Sequence, residues 1–204
     1  RGSYSMTQWL YRTLFILSLF LTACGPLIPT PGEAPKRYTL SHLEENNSPP
    51  SVPKQLMIEL PSAAVSLDSA RVAVVPAPQQ INFYADMEWS DRLPIIVQES
   101  ILYSLQNQHL FQGVTRSSDG AIPDQSLKID IRKFYIDQTG IPTAQAEYFA
   151  RVMDVATRHE LASRTFTATV PLKGGVSSDL IAAALDQANR QIIEDLQGWL
   201  VRHR

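Results

Sequence analysis

The chain has one cysteine in 204 residues, Cys24, so no intrachain disulfide can brace it even in an oxidising compartment. It also has little charge imbalance, with a formal net charge of −2. Arg1 and Arg12 are the only charges before Cys24, so the remainder carries 16 basic against 20 acidic residues, or −4. That balance excludes the basic electrostatic footprint of a nucleic-acid binder. No apolar run approaches the ~20 residues of a membrane-spanning helix. No G-x-S-x-G, H-E-x-x-H, phosphate loop or G-x-G-x-x-G is present, which leaves hydrolase, metalloprotease and nucleotide chemistry without a visible seat. The four histidines, His42, His109, His159 and His203, fall in four separate segments without metal-ligand spacing. No carboxylate pair stands isolated in an apolar run that would tune it for acid-base work. These absences point to a non-enzymatic protein with no cofactor and no metal.

What is present begins with the stretch Thr13–Ala23, TLFILSLFLTA, which has the length of a secretory h-region. Arg12 supplies a thin positive n-region if Met6 is the natural start, and Arg1–Ser5 reads as an expression scar or an over-long start. Leu21-Thr22-Ala23-Cys24 matches the lipobox of bacterial lipoproteins, in which the cysteine thiol is acylated and becomes the new amino terminus. Residues 1–23 are therefore expected to be a signal peptide and Cys24 a lipidation site. Each buried lipid methylene contributes ~0.8 kcal/mol and one chain binds only reversibly, so a multiply acylated cysteine is what would hold the protein on its membrane. Gly25 follows, where aspartate would favour inner-membrane retention, so sorting to the periplasmic face of an outer membrane is expected.

From Gly25 to Pro35 four prolines in eleven residues suit an extended tether, giving a lipidated, proline-rich segment 24–36. A single folded domain, 37–204, follows. Arg37–Leu40, Gln55–Leu60 and Arg71–Val75 read as strands, separated by a polar, proline-broken loop at Glu44–Lys54. Leu93, Ile96, Val97, Ile101 and Leu105 lie on one helix face, with Ser90 or Asp91 as cap and Pro94 in the first turn. Leu127–Ile136 alternates with a phase shift between Ile131 and Phe134 that predicts a bulge. Ala146–Met153 and Leu161–Val170 read as two further, antiparallel strands, with Phe166, Ala168 and Val170 inward. Asp179–Val201 is a long amphipathic helix facing inward with Ile181, Leu185, Ala188, Ile192, Leu196 and Trp199. The expected fold class is α+β: a single-domain sandwich, a mixed, mostly antiparallel sheet with two amphipathic helices packed on one face.

One stretch departs from plain strand, helix or polar loop. Ile81–Pro94, INFYADMEWSDRLP, gathers aromatics among charges and reads as a loop. Tyr84, Asp86, Trp89, Asp91 and Arg92 are its candidate contact residues for a partner or another copy, because aromatic and arginine side chains dominate interface energies. The structural alternative is that Tyr84 and Trp89 plug the end of the sandwich while Asp86, Asp91 or Arg92 cap the helix and pair locally.

The lipobox, Tyr38-Thr39-Leu40, Arg71-Val72-Ala73-Val74 with Pro76, Tyr84-Ala85-Asp86, Trp89, Asp91-Arg92-Leu93-Pro94, Phe166 and Trp199 follow one another in an order that resembles the ABC-type transport auxiliary lipoprotein family. The resemblance spans nearly all of the chain after Cys24. It implies an outer-membrane lipoprotein that docks with an ABC-type or MCE-domain transport system moving lipids between two membranes, and a homo-oligomeric ring as the working form. A structural or assembly lipoprotein of an outer-membrane complex is the other class of answer.

Overall fold

A single long strand organises the molecule. In the computed structural model, which describes residues 34–46 and 52–202, β7 (Gln125–Asp137) is flanked by strands along its whole length. The signal segment, Cys24 and most of the tether lie outside the described residues. The other strands, in chain order, are β1 (Lys36–Tyr38), β2 (Val52–Ile58), β3 (Ser62–Ala63), β4 (Arg71–Val75), β5 (Asn82–Trp89), β6 (Phe111–Arg116), β8 (Thr143–Asp154) and β9 (Glu160–Pro171). Helix α1 (Leu93–Asn107) joins β5 to β6, and α2 (Ser178–Arg202) follows β9. The described residues from Pro35 onward form one compact unit.

On one side β7 pairs antiparallel with β8 from Gln125↔Asp154 to Asp137↔Thr143. Its other side is shared by three strands in succession, all parallel to it: β2 at Leu56–Ile58, β3 at Ser62–Ala63, and β4 at Ala73–Val75. The sheet therefore forks from this spine, with β6 beyond β2 and β5 then β1 beyond β4. The expected bulge is present, since the β7/β8 register shifts between Ile131 and Lys133. Two consecutive outward cations, Arg132 and Lys133, break the alternation there, and Phe134 resumes the buried face.

Of the eight pairings among the described residues, five are parallel. The antiparallel ones are β4/β5, β7/β8 and β8/β9, the pairs joined by short connections, and they include the two longest ladders. The expectation of a mostly antiparallel sheet thus fits ladder length and not the number of pairings. Two further corrections concern elements. Asn82–Trp89, expected as loop, is β5, whose charges Asp86 and Glu88 alternate with buried Met87 and Trp89. Val52–Lys54, assigned to the polar loop, begins β2.

Alternation sorts the long strands cleanly. Ala144, Ala146, Tyr148, Ala150 and Val152 of β8 and Phe166, Ala168 and Val170 of β9 are buried, while Thr165, Thr167 and Thr169 face solvent. Helix α2 covers that buried face, and all six of its expected inward residues are buried. Helix α1 takes different neighbours, lying against β6 and α2. It is buried on most sides, and its buried polar groups are engaged: Gln98 donates to the Ile58 carbonyl at 3.0 Å and Ser104 to the Ser100 carbonyl at 2.6 Å. Pro94 sits in its first turn as expected, but its N-cap is Arg92, without a side-chain cap; neither Ser90 nor Asp91 caps it.

Candidate functional site

The polar side chains that matter most line α2. Asp179 and Asp186 lie two helical turns apart, on one face, and both reach the first strand of the domain and the segment after it. The Tyr38 hydroxyl donates to Asp179 Oδ1 at 2.6 Å, and Lys36 Nζ lies 3.3 Å from Asp179 Oδ2. Two turns on, the Ser41 amide and hydroxyl donate to Asp186 at 2.6 and 2.7 Å. One turn deeper, Asn189 is fully buried: it accepts from the Tyr148 hydroxyl at 2.9 Å and donates to Ser100 Oγ at 2.8 Å. Helix α2 therefore ties β1, the segment behind it, α1 and β8 together through three side chains of its own.

The same end of α2 receives part of the stretch singled out from sequence. Asp86 accepts from the Ser178 hydroxyl at 2.6 Å, and Gln138 donates to Tyr84 Oη at 3.1 Å. Tyr84 is half-buried and Asp86 exposed; Asp86 stands at the start of α2 beside Tyr38 and Asp179, while Tyr84, two residues earlier on β5, reaches the residue after β7. Trp89 does not join them. It is buried, 5.7 Å from the Phe134 ring, and belongs to the core rather than to a contact surface. Asp91 and Arg92 lie just past the far end of β5. Arg92 makes a two-pronged ion pair with Asp68 at 2.8 and 2.6 Å, and Asp91 accepts from the Arg92 amide at 2.6 Å. The five candidate residues thus divide into Asp86 at the start of α2 with Tyr84 beside it on β5, a pair past the other end of that strand, and one core side chain.

Electrostatics favour fixed hydrogen bonds over proton transfer. The bond to Asp179, helped by desolvation and the nearby carboxylate of Asp86, pushes the Tyr38 hydroxyl up to about 12. Burial and then Asp86 raise Tyr84, and burial raises Tyr148 further. Asp179 is held below the usual carboxylate range by the bonds from Tyr38 and Lys36. A protonated Tyr38 hydroxyl and the Lys36 ammonium, both held by an ionised Asp179, latch β1 to the first turn of α2. Among the described residues no group of three metal-ligating side chains comes together. Lys36, Ser41, Asp179 and Asp186 escaped the sequence reading because each pair is separated by more than 140 residues, and no periodicity carries such a contact.

Comparison with known proteins decides the family. The family model described as the ABC-type transport auxiliary lipoprotein component matches residues 38–196, from the last residue of β1 to within two turns of the end of α2. The chain belongs to this family. An uncharacterized protein of Bradyrhizobium diazoefficiens is 32% identical over 146 residues, covering 72% of this chain and 39% of that relative. The chain thus spans well under half the length of that curated relative. A crystal structure of a protein from Xanthomonas campestris superposes with a TM-score of 0.73 at 29% identity, covering 82% of this chain and 96% of that one. A Chlamydia trachomatis protein shares the fold at 10% identity, with a TM-score of 0.51 over 74% of this chain and 98% of its own. The auxiliary-lipoprotein family is described as a transport component, with no catalytic activity in that description.

Proposed function

We propose that this chain is a periplasmic lipoprotein, anchored in the outer membrane by acylated Cys24, that serves as a non-enzymatic auxiliary component of an ABC-type system moving lipids between the two membranes. Its partners in this reading are MCE-domain and ABC-transporter subunits, and its working form is a homo-oligomeric ring. The observation that carries the proposal is the family match over residues 38–196, which takes in almost the entire folded unit rather than one motif. The polar groups along α2 hold the first strand, the segment after it and β8 to the helix, so the family match covers one tied-together unit. The covalent lipid is the only non-protein group required. Twelve residue steps separate Cys24 from Lys36, so a fully extended tether keeps the domain within about 40 Å of the bilayer. Affinity capture of the native lipoprotein from solubilised envelopes tests the reading. Recovery of MCE-domain, permease or ATPase subunits is the expected result; recovery of an outer-membrane barrel without them would point to an assembly role instead.

A further inference from the structure

A sheet is open to another chain at its edges. Among the described residues three strands are edges: β1 with three residues, β6 with six interrupted by Gly113, and β9 with twelve, which pairs with β8 on one side and with no strand on the other. A long edge offers a row of backbone N–H and C=O groups to any extended segment, and proteins normally blunt it with lysine, proline or a bulge. The second half of β9 has none of these before its last residue. Thr165-Phe166-Thr167-Ala168-Thr169-Val170 is uncharged and rich in strand formers, Pro171 comes only at the end, and the register irregularity against β8 lies at the other end, between Val152 and Met153.

Open backbone groups call for an extended strand, and the residues of β9 match a reversed copy of itself. An antiparallel copy centred on Thr167 sets Thr167 against Thr167 and Thr165 against Thr169 on the exposed side, threonine pairs that favour one another across strands. On the buried side it sets Phe166 against Ala168, large against small, whereas a centre at Phe166 would crowd two rings together. Charge fits the same register. No charged residue lies between Arg164 and Lys173, so the twofold brings no like charges together there, and it places Lys173 of each copy opposite Leu161, next to Glu160 of the other. Helix α2 also leaves room. It lies against β8 and β9 alike, and strands stand about 4.8 Å apart, so a helix centred between them is about 10 Å from its reversed copy, a normal packing distance. Where α2 borders the end of β9 it presents Leu180, Ala183, Ala184 and Gln187 to an open groove, without a charge among them.

We infer that β9 is a self-association edge: two copies of the chain join antiparallel through Thr165–Thr169, about a twofold axis at Thr167, and continue one sheet across both. The inference rests on the homo-oligomeric form proposed above and gives it an interface. Such a contact is isologous, so a closed ring built on it alternates with a second interface and holds an even number of subunits.

The test uses the full, acylated chain, oxidised mildly in the envelope and then extracted in gentle detergent. Thr165→Cys, Thr167→Cys and Thr169→Cys are conservative changes at exposed positions, and the unchanged chain controls for any free thiol at Cys24. Thr167→Cys is expected to give a disulfide-linked dimer, because residues facing each other across an antiparallel pair stand within disulfide reach. Thr165→Cys or Thr169→Cys alone should not, since each is then about 14 Å from its own copy; the two expressed together should. Thr167→Lys, which sets two ammonium groups at the axis, should lower the mass seen by light scattering to half or less while the circular dichroism spectrum stays that of the parent. An oligomer that survives Thr167→Lys, in which Thr167→Cys does not link, or in which Thr165→Cys alone links as readily, overturns the edge and leaves self-association in place. A Thr167→Cys link to a different polypeptide gives the edge to another partner and also overturns it. An unchanged chain that is monomeric, with no Thr167→Cys dimer, overturns both the edge and the oligomeric form beneath it.

Discussion

Replacing Trp199 by alanine should be among the most damaging single changes in the domain. Trp199 is 3% exposed and meets the Phe166 ring edge-on at 5.6 Å, closing the core between the last turns of α2 and the middle of β9. Alanine is the best helix former, so the substitution leaves α2 intact and reports on packing alone. Truncating a buried tryptophan costs about 3–5 kcal/mol, the sum of lost transfer energy and the cavity left behind. The lower part of that range applies if the final turn, which ends at Arg202, relaxes into the hole. For a domain of this size each kcal/mol moves the melting point by about 2–4 °C, so a drop of roughly 10 °C is expected. Thermal unfolding of the soluble chain from Gly25, followed by circular dichroism, measures it, with Trp199→Phe as the milder companion that keeps part of the edge contact. A shift of only a degree or two for Trp199→Ala would refute the packing argument and make Trp199 a surface residue.

Four further outcomes are expected. Cys24→Ala should leave the domain folded and release it from the membrane, since among the described residues no helix is long and apolar enough to cross one; material that still pellets with outer membrane in high salt and carbonate would contradict this. The Asp179 carboxylate lies below its ordinary range in the folded state, so its contribution is complete above about pH 4 and is lost as pH falls through the lower folded value. Asp179→Asn should therefore flatten part of the acid limb of a stability–pH curve. Tyr38 has the opposite sign, its contribution being full below about pH 10 and lost as pH rises through about 12, so Tyr38→Phe should flatten the alkaline limb. Tyr84→Ala combined with Asp86→Ala should lower oligomer mass or partner recovery in a protein that melts near normally; light scattering and pull-down values matching the parent would confine both residues to their bonds with Gln138 and Ser178.

Much of the fold was legible because burial imposes a period. The strands at Arg71–Val75 and Leu127–Ile136, the bulge beside Arg132, and both helices followed from alternation or from a 3.6-residue repeat. Strand β5 was missed because Asp86 and Glu88 on its outward side looked like loop composition, although Met87 and Trp89 alternate with them. Strand β6, FQGVTR, is short and interrupted by Gly113, and β3 has two residues; neither offers a period to read. The fork of parallel partners along β7 was out of reach, since pairing between distant strands leaves no local trace. The contact stretch was legible as unusual but not as divided. Its aromatic Trp89 is core and its Arg92 is committed to Asp68, while the true centre of the polar cluster is Asp179 on another element.

The central claim is that this chain is a membrane-held component of lipid transport, and the most direct test is lipid movement itself. Labelled phospholipid can be followed between inner and outer membranes in cells that lack the chain, that carry it unchanged, or that carry Cys24→Ala. The account predicts slower exchange without the chain, recovery with the unchanged chain, and no recovery with Cys24→Ala although that variant accumulates folded in the periplasm. Exchange that is unaffected by the chain's removal would contradict the account, and full recovery by Cys24→Ala would contradict the requirement for an anchor.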